Sequence, residues 1–317
     1  MSETLSHSDQ VTYLQIAVEQ AGQRIDNFLL TYFKSVPKSH IYRILRTGEV
    51  RVNKGRIKPV YRLQIGDKVR LPPMHYQTTT SVIPHIHSVQ ILTKRILYED
   101  NFLLVIDKPS GMAVHGGSGI SFGVIEGLRT LYPQAPFLEL VHRLDRETSG
   151  CLMIAKKRSM LRRLHDLLRQ GGMRKRYLAL VQGRWQSRLK QISMPLQKNI
   201  LQSGERIVRV NETDGKAAIS NFQIEEEFES ATLLNVQPIT GRTHQIRVHA
   251  THADHPIAGD EKYGNEAFNR QMRDYSLKRL FLHAAQLEIE IPDQNYQLSI
   301  NAPLPTELQQ VLNRLSK

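Results

Sequence analysis

A chain of 317 residues, 40% of them hydrophobic, has room for two domains or one large one around a sizeable core. Its formal charge of +13 points to an anionic partner, most often nucleic acid. One cysteine, Cys151, excludes an intramolecular disulfide framework. No apolar run has the length of a membrane span and the N-terminus has no apolar signal core, so a bacterial-type cytoplasmic protein away from membranes is expected.

Residues 1–19 read as a flexible tail. From Arg24 to Arg70, twelve Lys/Arg stand against three acids, a net +9 in 47 residues. Ile25, Phe28, Leu29 and Tyr32 recur at helical spacing, and Ile41, Ile44 and Leu45 predict a second helix stopped by Thr47-Gly48. Val50, Val52 and Asn53-Lys54-Gly55 read as a strand and turn, and Ile65-Gly66-Asp67 as another turn. The alternative, a merely solvated face, fits poorly because ordinary surfaces mix signs. Residues 74–92, with Thr78-Thr79-Thr80-Ser81 and Pro84, read as an extended linker, and its His75, His85 and His87 lack the cysteine or carboxylate partners of a metal site.

A second, larger domain is expected over residues 93–317. Ile96–Asp100 and Phe102–Ile106 read as two strands. The glycine-rich stretch Val114–Gly119 lacks the lysine–serine ending of a phosphate loop, which argues against a nucleotide site. The charged segment His142–Gly150 lies between apolar runs and reads as a loop held by two buried strands. Asp145 is its only aspartate, with Arg143 and Arg146 on either side. An arginine near a carboxylate favours the ionised form, and an ionised aspartate can serve as base or nucleophile. Ser159 is expected to cap a helix whose stripe is Leu161, Leu164, Leu167 and Leu168, ended by Gly171-Gly172. Arg162 and Arg163 fall largely off that stripe. Tyr177 opens onto a strand, and Arg242 to His249 read as a short helix or strand. The histidines 244, 249, 252 and 255 have no recognised ligand spacing, so no metal is expected. Leu287, Ile289 and Ile291 alternate with Glu288 and Glu290 as a half-buried strand, a turn follows at Asp293–Asn295, and a helix begins near Pro305-Thr306.

The string His142-Arg143-Leu144-Asp145-Arg146-Glu147-Thr148-Ser149-Gly150 resembles the signature of the RluA/RluC family of RNA pseudouridine synthases. Lys108–Gly111 with His115, and Pro238–His249, resemble its other motifs, as do Gly259–Gly264 and Phe281–Ala284, so the resemblance covers residues 95 to 305. Residues 20–73 resemble the S4 RNA-binding domain through Arg24-Ile25-Asp26, Ser39, Ile44, Gly48, Val50, Val52-Asn53 and Gly66-Asp67.

The resemblance implies an α+β fold, an S4 module followed by a mixed, mostly antiparallel sheet flanked by helices and loops. It implies Asp145 as the catalytic residue, Arg247 as its partner, Tyr177 stacking on the target base, and Arg143 filling the space of a flipped base. Phosphate contacts are expected from Lys38, Arg43, Arg46, Arg51, Lys54, Arg146, Arg162, Arg163 and Arg242. The implied reaction, uridine to pseudouridine within RNA, has no redox change and no group donor, so no cofactor is expected. Whether Asp145 attacks the sugar, attacks the base or removes a proton stays open. Within the family the RluC type, acting on several uridines of 23S ribosomal RNA, is the nearer resemblance; a monomer is expected. The RluD type, or an enzyme acting on transfer RNA, is the alternative. From another class, a non-catalytic ribosome-assembly factor would use the same basic surfaces but does not account for Asp145, Tyr177 and Arg247 together. A glycosidase lacks the second carboxylate.

Overall fold

The computed structural model describes residues 10–18, 20–33, 36–73, 86–116, 122–200, 206–291 and 296–317. Two compact units divide the chain, residues 1–82 and 83–317.

The first unit runs β1 (Thr12–Gln15), α1 (Ile25–Tyr32), α2 (Lys38–Thr47), β2 (Arg51–Val52), β3 (Gly55–Arg56) and β4 (Lys68–Leu71). Its antiparallel sheet has the order β1-β4-β2-β3. Apolar residues three and four apart put Ile25, Phe28 and Leu29 of α1 and Ile41, Ile44 and Leu45 of α2 into one core with Val52, Val69 and Leu71. Gly48 ends α2 at a φ of 75° and donates to the carbonyls of Ile44 and Leu45. Asn53 and Lys54 both have positive φ, which suits the two-residue turn joining β2 to β3. Once these faces are buried, Lys38, Arg43, Arg46, Arg51 and Lys54 are left exposed.

The second unit opens with α3 (Ile86–Thr93), β5 (Ile96–Glu99), β6 (Leu103–Lys108), α4 (Val124–Leu131), β7 (Glu139–Leu140) and β8 (Ser149–Ala155). It continues with α5 (Arg158–Gln170), β9 (Met173–Gln182), β10 (Gln191–Ser193), β11 (Leu196–Ile200), β12 (Arg206–Val210), β13 (Ile219–Glu227) and β14 (Ala231–Pro238). It ends with α6 (Gln245–His252), α7 (Glu266–Asp274), β15 (Leu282–Ile291), β16 (Tyr296–Asn301) and α8 (Thr306–Leu315). Ten strands form one sheet in the order β10-β13-β14-β9-β15-β8-β6-β5, with β16 added to β15 and β7 to β8. Every pairing is antiparallel except β8 with β15. The α+β class and the mixed, mostly antiparallel sheet expected from the sequence are what the chain adopts.

Two local expectations need correction. The stretch read as linker to residue 92 is helical from Ile86, because Leu92 packs into the same core cluster as Leu128. Ser159 does not cap α5. The helix begins one residue earlier, at Arg158, and its N-cap, Lys157, makes no side-chain cap bond. The expected turn at Asp293–Asn295 lies outside the described residues, as do His75, His85 and residues 117–119. Among the described residues no helix is long and apolar enough to cross a membrane.

Candidate active site

The loop 142–148 leaves β7 and enters β8, and its alternation of side chains is fixed at several points. The His142 ring accepts a hydrogen bond from the Met153 amide through Nε2 at 3.2 Å. Burial holds the pKa of His142 down, to about 3, so the ring is neutral and suited to that role. Leu144 is buried in the main core. Arg143, on the other side, is exposed. Asp145 lies between these extremes, its side chain 17% exposed.

Behind the loop, Lys108 at the end of β6 is fully buried. Its ammonium donates to the carbonyls of Pro109, Met112 and Arg146 at 2.8, 2.8 and 2.9 Å. Burial lowers its pKa to about 7, against the pull of Glu147 and Asp145. Gly111 N–H donates to Arg146 C=O, and Arg146 Nε returns a bond to Gly111 C=O, both at 2.9 Å. Ser110 Oγ donates to the Glu147 carbonyl. The Lys108–Gly111 turn is therefore the clamp that shapes the loop. The far end is set by Gly150, with a φ of 107°. A Cβ there would sit 2.3 Å from the Ala284 carbonyl oxygen, so only glycine lets β8 run alongside β15.

Opposite Asp145 stands α6. Arg247 Nη1 lies 3.4 Å from Asp145 Oδ2. The same guanidinium makes a bidentate pair with Asp260, Nε to Oδ2 at 2.7 Å and Nη2 to Oδ1 at 2.8 Å. Asp260 is only 1% exposed, and its Oδ1 also accepts from the amides of Lys262 and Tyr263. Burial alone would raise the pKa of Asp260. The Arg247 guanidinium and those amides outweigh it and hold the carboxyl below its usual range. The ring of Tyr263 lies 4.9 Å from the Arg247 guanidinium. Its hydroxyl is 2.7 Å from His244 Nδ1 and accepts from the Val208 amide. His244, the N-cap of α6, sits in the left-handed region with a φ of 54° and puts Nε2 3.8 Å from Asp145 Oδ1. Such a conformation costs about 1–3 kcal/mol in a non-glycine residue and gathers at functional sites. Gln245 braces the preceding turn: its Oε1 accepts from Thr240 Oγ1 and the Arg242 amide, and its Nε2 donates to Ile219 C=O and Ser220 Oγ.

These elements border a cavity of about 710 Å³, within the roughly 300–1,000 Å³ of small-molecule sites. Asp145, Arg143, Tyr177, Arg242, His244 and Arg247 all line it. Tyr177 is on β9 in mid-sheet, between Val236 of β14 and Ala284 of β15. Burial, with Asp145 close by, raises the pKa of its phenol, which keeps it neutral. Arg242 also donates Nε to Ala217 C=O. Arg162 and Arg163 lie on α5, outside the residues lining this cavity. The neighbouring histidines are held one by one: His249 between Ser220 and Met194, His255 by the Gln182 carbonyl. Among the described residues no three His, Cys, Asp or Glu side chains form a metal-ligand cluster. Cys151 is buried, and burial pushes its thiol up to about 12. Sequence reasoning assigned no role to Lys108, His244, Asp260 or Tyr263. The legible signal for Asp260 was an aspartate in a glycine-bounded turn, Gly259–Gly264.

The fold and this site define the class. The chain belongs to the RNA pseudouridylate synthase family, enzymes that isomerise uridine within RNA to pseudouridine. The family model for RNA pseudouridylate synthase matches residues 102–252, and the S4 domain model matches residues 23–69. The chain is similar to "Ribosomal large subunit pseudouridine synthase C" of Escherichia coli K12, 56% identical over 314 residues, 98% of each chain. The protein of that name from Yersinia pestis is 58% identical over 309 residues, 97% of this chain and 96% of its own. Among solved structures, Human RNA Pseudouridylate Synthase Domain Containing 4 superposes with a TM-score of 0.57 at 27% identity, covering 73% of this chain and 96% of its own.

Proposed function

We propose that this chain converts uridine to pseudouridine at several positions of 23S large-subunit ribosomal RNA, acting as a cytoplasmic monomer. The observation that carries the reading is the carboxylate of Asp145, 3.4 Å from Arg247 in the wall of a cavity that Tyr177 also lines. In the isomerisation the N1–C1′ bond breaks, the uracil turns, and a C5–C1′ bond forms as the C5 proton leaves and N1 gains one. Asp145 carries this chemistry as nucleophile or base. Arg247 holds the carboxylate, and Asp260 holds Arg247. A uridine inside a stem has to flip out first, at a cost of a few kcal/mol. Arg143, exposed beside the cavity, fills the gap it leaves. Tyr177 stacks on the extruded base, which recovers part of that cost.

Lys38, Arg43, Arg46, Arg51 and Lys54 of the first unit bind phosphates, as do Arg162, Arg163 and Arg242 of the second. Arg146 takes a phosphate only with the part of its guanidinium not bonded to Gly111. The relatives' shared name and their near full-length similarity support the ribosomal target. The test is pseudouridine mapping of unmodified 23S transcript and of bulk transfer RNA after incubation with the protein. New pseudouridines confined to a few 23S positions are expected. Modification of transfer RNA alone would overturn the ribosomal assignment.

A further inference from the structure

His244 breaks two local rules at once. The N-cap of a helix is ordinarily Ser, Thr, Asp, Asn or Gly, and a polar side chain there accepts from the first turn. The His244 side chain makes no such bond at the start of α6. Its backbone also sits at a φ of 54°, a region that favours glycine or asparagine. A residue that fails as a cap and carries strain is held there by its surroundings, and such residues gather at functional sites. The ring shows what the strain achieves. It is 16% exposed, lines the cavity of Asp145, and brings Nε2 to 3.8 Å from Asp145 Oδ1.

The other ring nitrogen fixes the proton. Tyr263 Oη lies 2.7 Å from Nδ1 and accepts from the Val208 amide. A phenol has one hydrogen to give, and an amide N–H cannot take it. Among the described residues Nδ1 is the hydroxyl's remaining hydrogen-bond contact. The hydroxyl therefore donates to Nδ1, which leaves the proton of a neutral ring on Nε2. Burial, with Arg247 and Lys262 close by, holds the imidazole pKa below its ordinary value against the pull of Asp145, so the ring is neutral at pH 7. The two rings also pack edge to face, centroids 5.4 Å apart.

We infer that His244 is a positioning residue of the isomerisation: its Nε2–H donates to Asp145 Oδ1 while Arg247 takes Oδ2, so the carboxylate is held at both oxygens. The inference rests on the reading of Asp145 above. At 3.8 Å the contact is longer than a hydrogen bond, and contacts of this kind tighten when substrate is seated. A carboxylate held at one oxygen still turns about its Cβ–Cγ bond. A second donor stops that turn and fixes which oxygen meets the nucleoside. The two partners differ in kind. Arg247 brings a full charge that Asp260 already balances. His244 brings a donor and no second charge. With the Nδ1 lone pair engaged by Tyr263, the ring gives a hydrogen bond and takes no proton from the nucleoside.

The first measurement reads the proton, by NMR of isotope-labelled imidazole nitrogens in the full-length protein, with the His244 signals identified by their loss in His244→Gln. A neutral ring protonated on Nε2 is expected, and Tyr263→Phe should shift it toward the other tautomer. A wild-type ring protonated on Nδ1 would overturn the inference. The second is single-turnover pseudouridine formation on unmodified 23S transcript at saturating enzyme. His244→Ala loses a hydrogen bond to a charged group and should be slower by about tenfold or more, with transcript affinity within about threefold of wild type. His244→Gln, whose amide places an N–H near the position of Nε2, should recover the rate to within about fivefold, a rescue that a merely structural role does not give. His244→Gln as slow as His244→Ala at an unchanged melting temperature would overturn the inference. So would His244→Ala at the wild-type rate beside an inactive Asp145→Asn, which leaves the functional reading standing. Asp145→Asn at the wild-type rate would overturn that reading itself, and the action of His244 through Asp145 with it.

Discussion

Arg247 is shared by two carboxylates, and the sharing is uneven. Its bidentate bonds go to buried Asp260, and a single longer contact reaches Asp145. The Asp145 carboxylate thus faces an arginine that is already held. Removing one partner of a buried pair leaves the other uncompensated, at about 3–5 kcal/mol, so Asp260→Asn is expected to melt well below wild type at pH 7. The sign of the pH dependence follows from the lowered pKa of Asp260. Its stabilisation is fully present above the unfolded aspartate value of about 3.9 and is lost as pH falls through the folded value below that. Melting curves between pH 7 and 3 should therefore show the gap between wild type and variant narrowing at the acid end; a constant gap would contradict the assignment. A substitution at Tyr177 tests the proposed stacking of the extruded base. Tyr177→Leu removes the π-face, and base stacking is worth about 1–3 kcal/mol, so single-turnover pseudouridine formation should slow at least tenfold while transcript binding changes much less.

At the scale of elements, the helices of the first unit and the strands around the loop were legible because burial leaves a period in the sequence. Ile41, Ile44 and Leu45 share one helix face, and Leu152 and Ile154 share one strand face. The parts that shape the site were less legible, because their partners are distant in the chain. Lys108 reads as a surface lysine in a turn, yet it is buried against the carbonyl of Arg146, thirty-eight residues on. Gly150 reads as a turn residue, yet it is a strand residue whose missing side chain admits β15. Arg247 was matched to Asp145 by resemblance alone. Nothing in composition or spacing points to Asp260 as its tighter partner. Gly150→Ala combines a positive φ with a steric clash, so a loss of roughly 3 kcal/mol is expected. It should register as a lower urea midpoint with an unchanged m-value.

For the whole molecule, two cores follow from two units, since the apolar cluster of the first is drawn entirely from residues 16–71. Ile44→Ala should cost about 2–5 kcal/mol, with the loss of amide-exchange protection confined to that unit. Loss of protection across β8 and β9 as well would show that the two fold as one. The net +9 between Arg24 and Arg70 belongs to a unit with its own core, and Asp145 to the other, so affinity and turnover should separate experimentally. That separation makes Asp145→Asn the most direct measurement: an isosteric change at the carboxylate that lines the cavity beside Arg247, assayed by single-turnover pseudouridine formation on unmodified 23S transcript at saturating enzyme. Wild-type binding with no detectable pseudouridine is the expected result. A variant that binds and still forms pseudouridine at a tenth of the wild-type rate or faster would contradict the assignment of Asp145 as the group that carries the reaction.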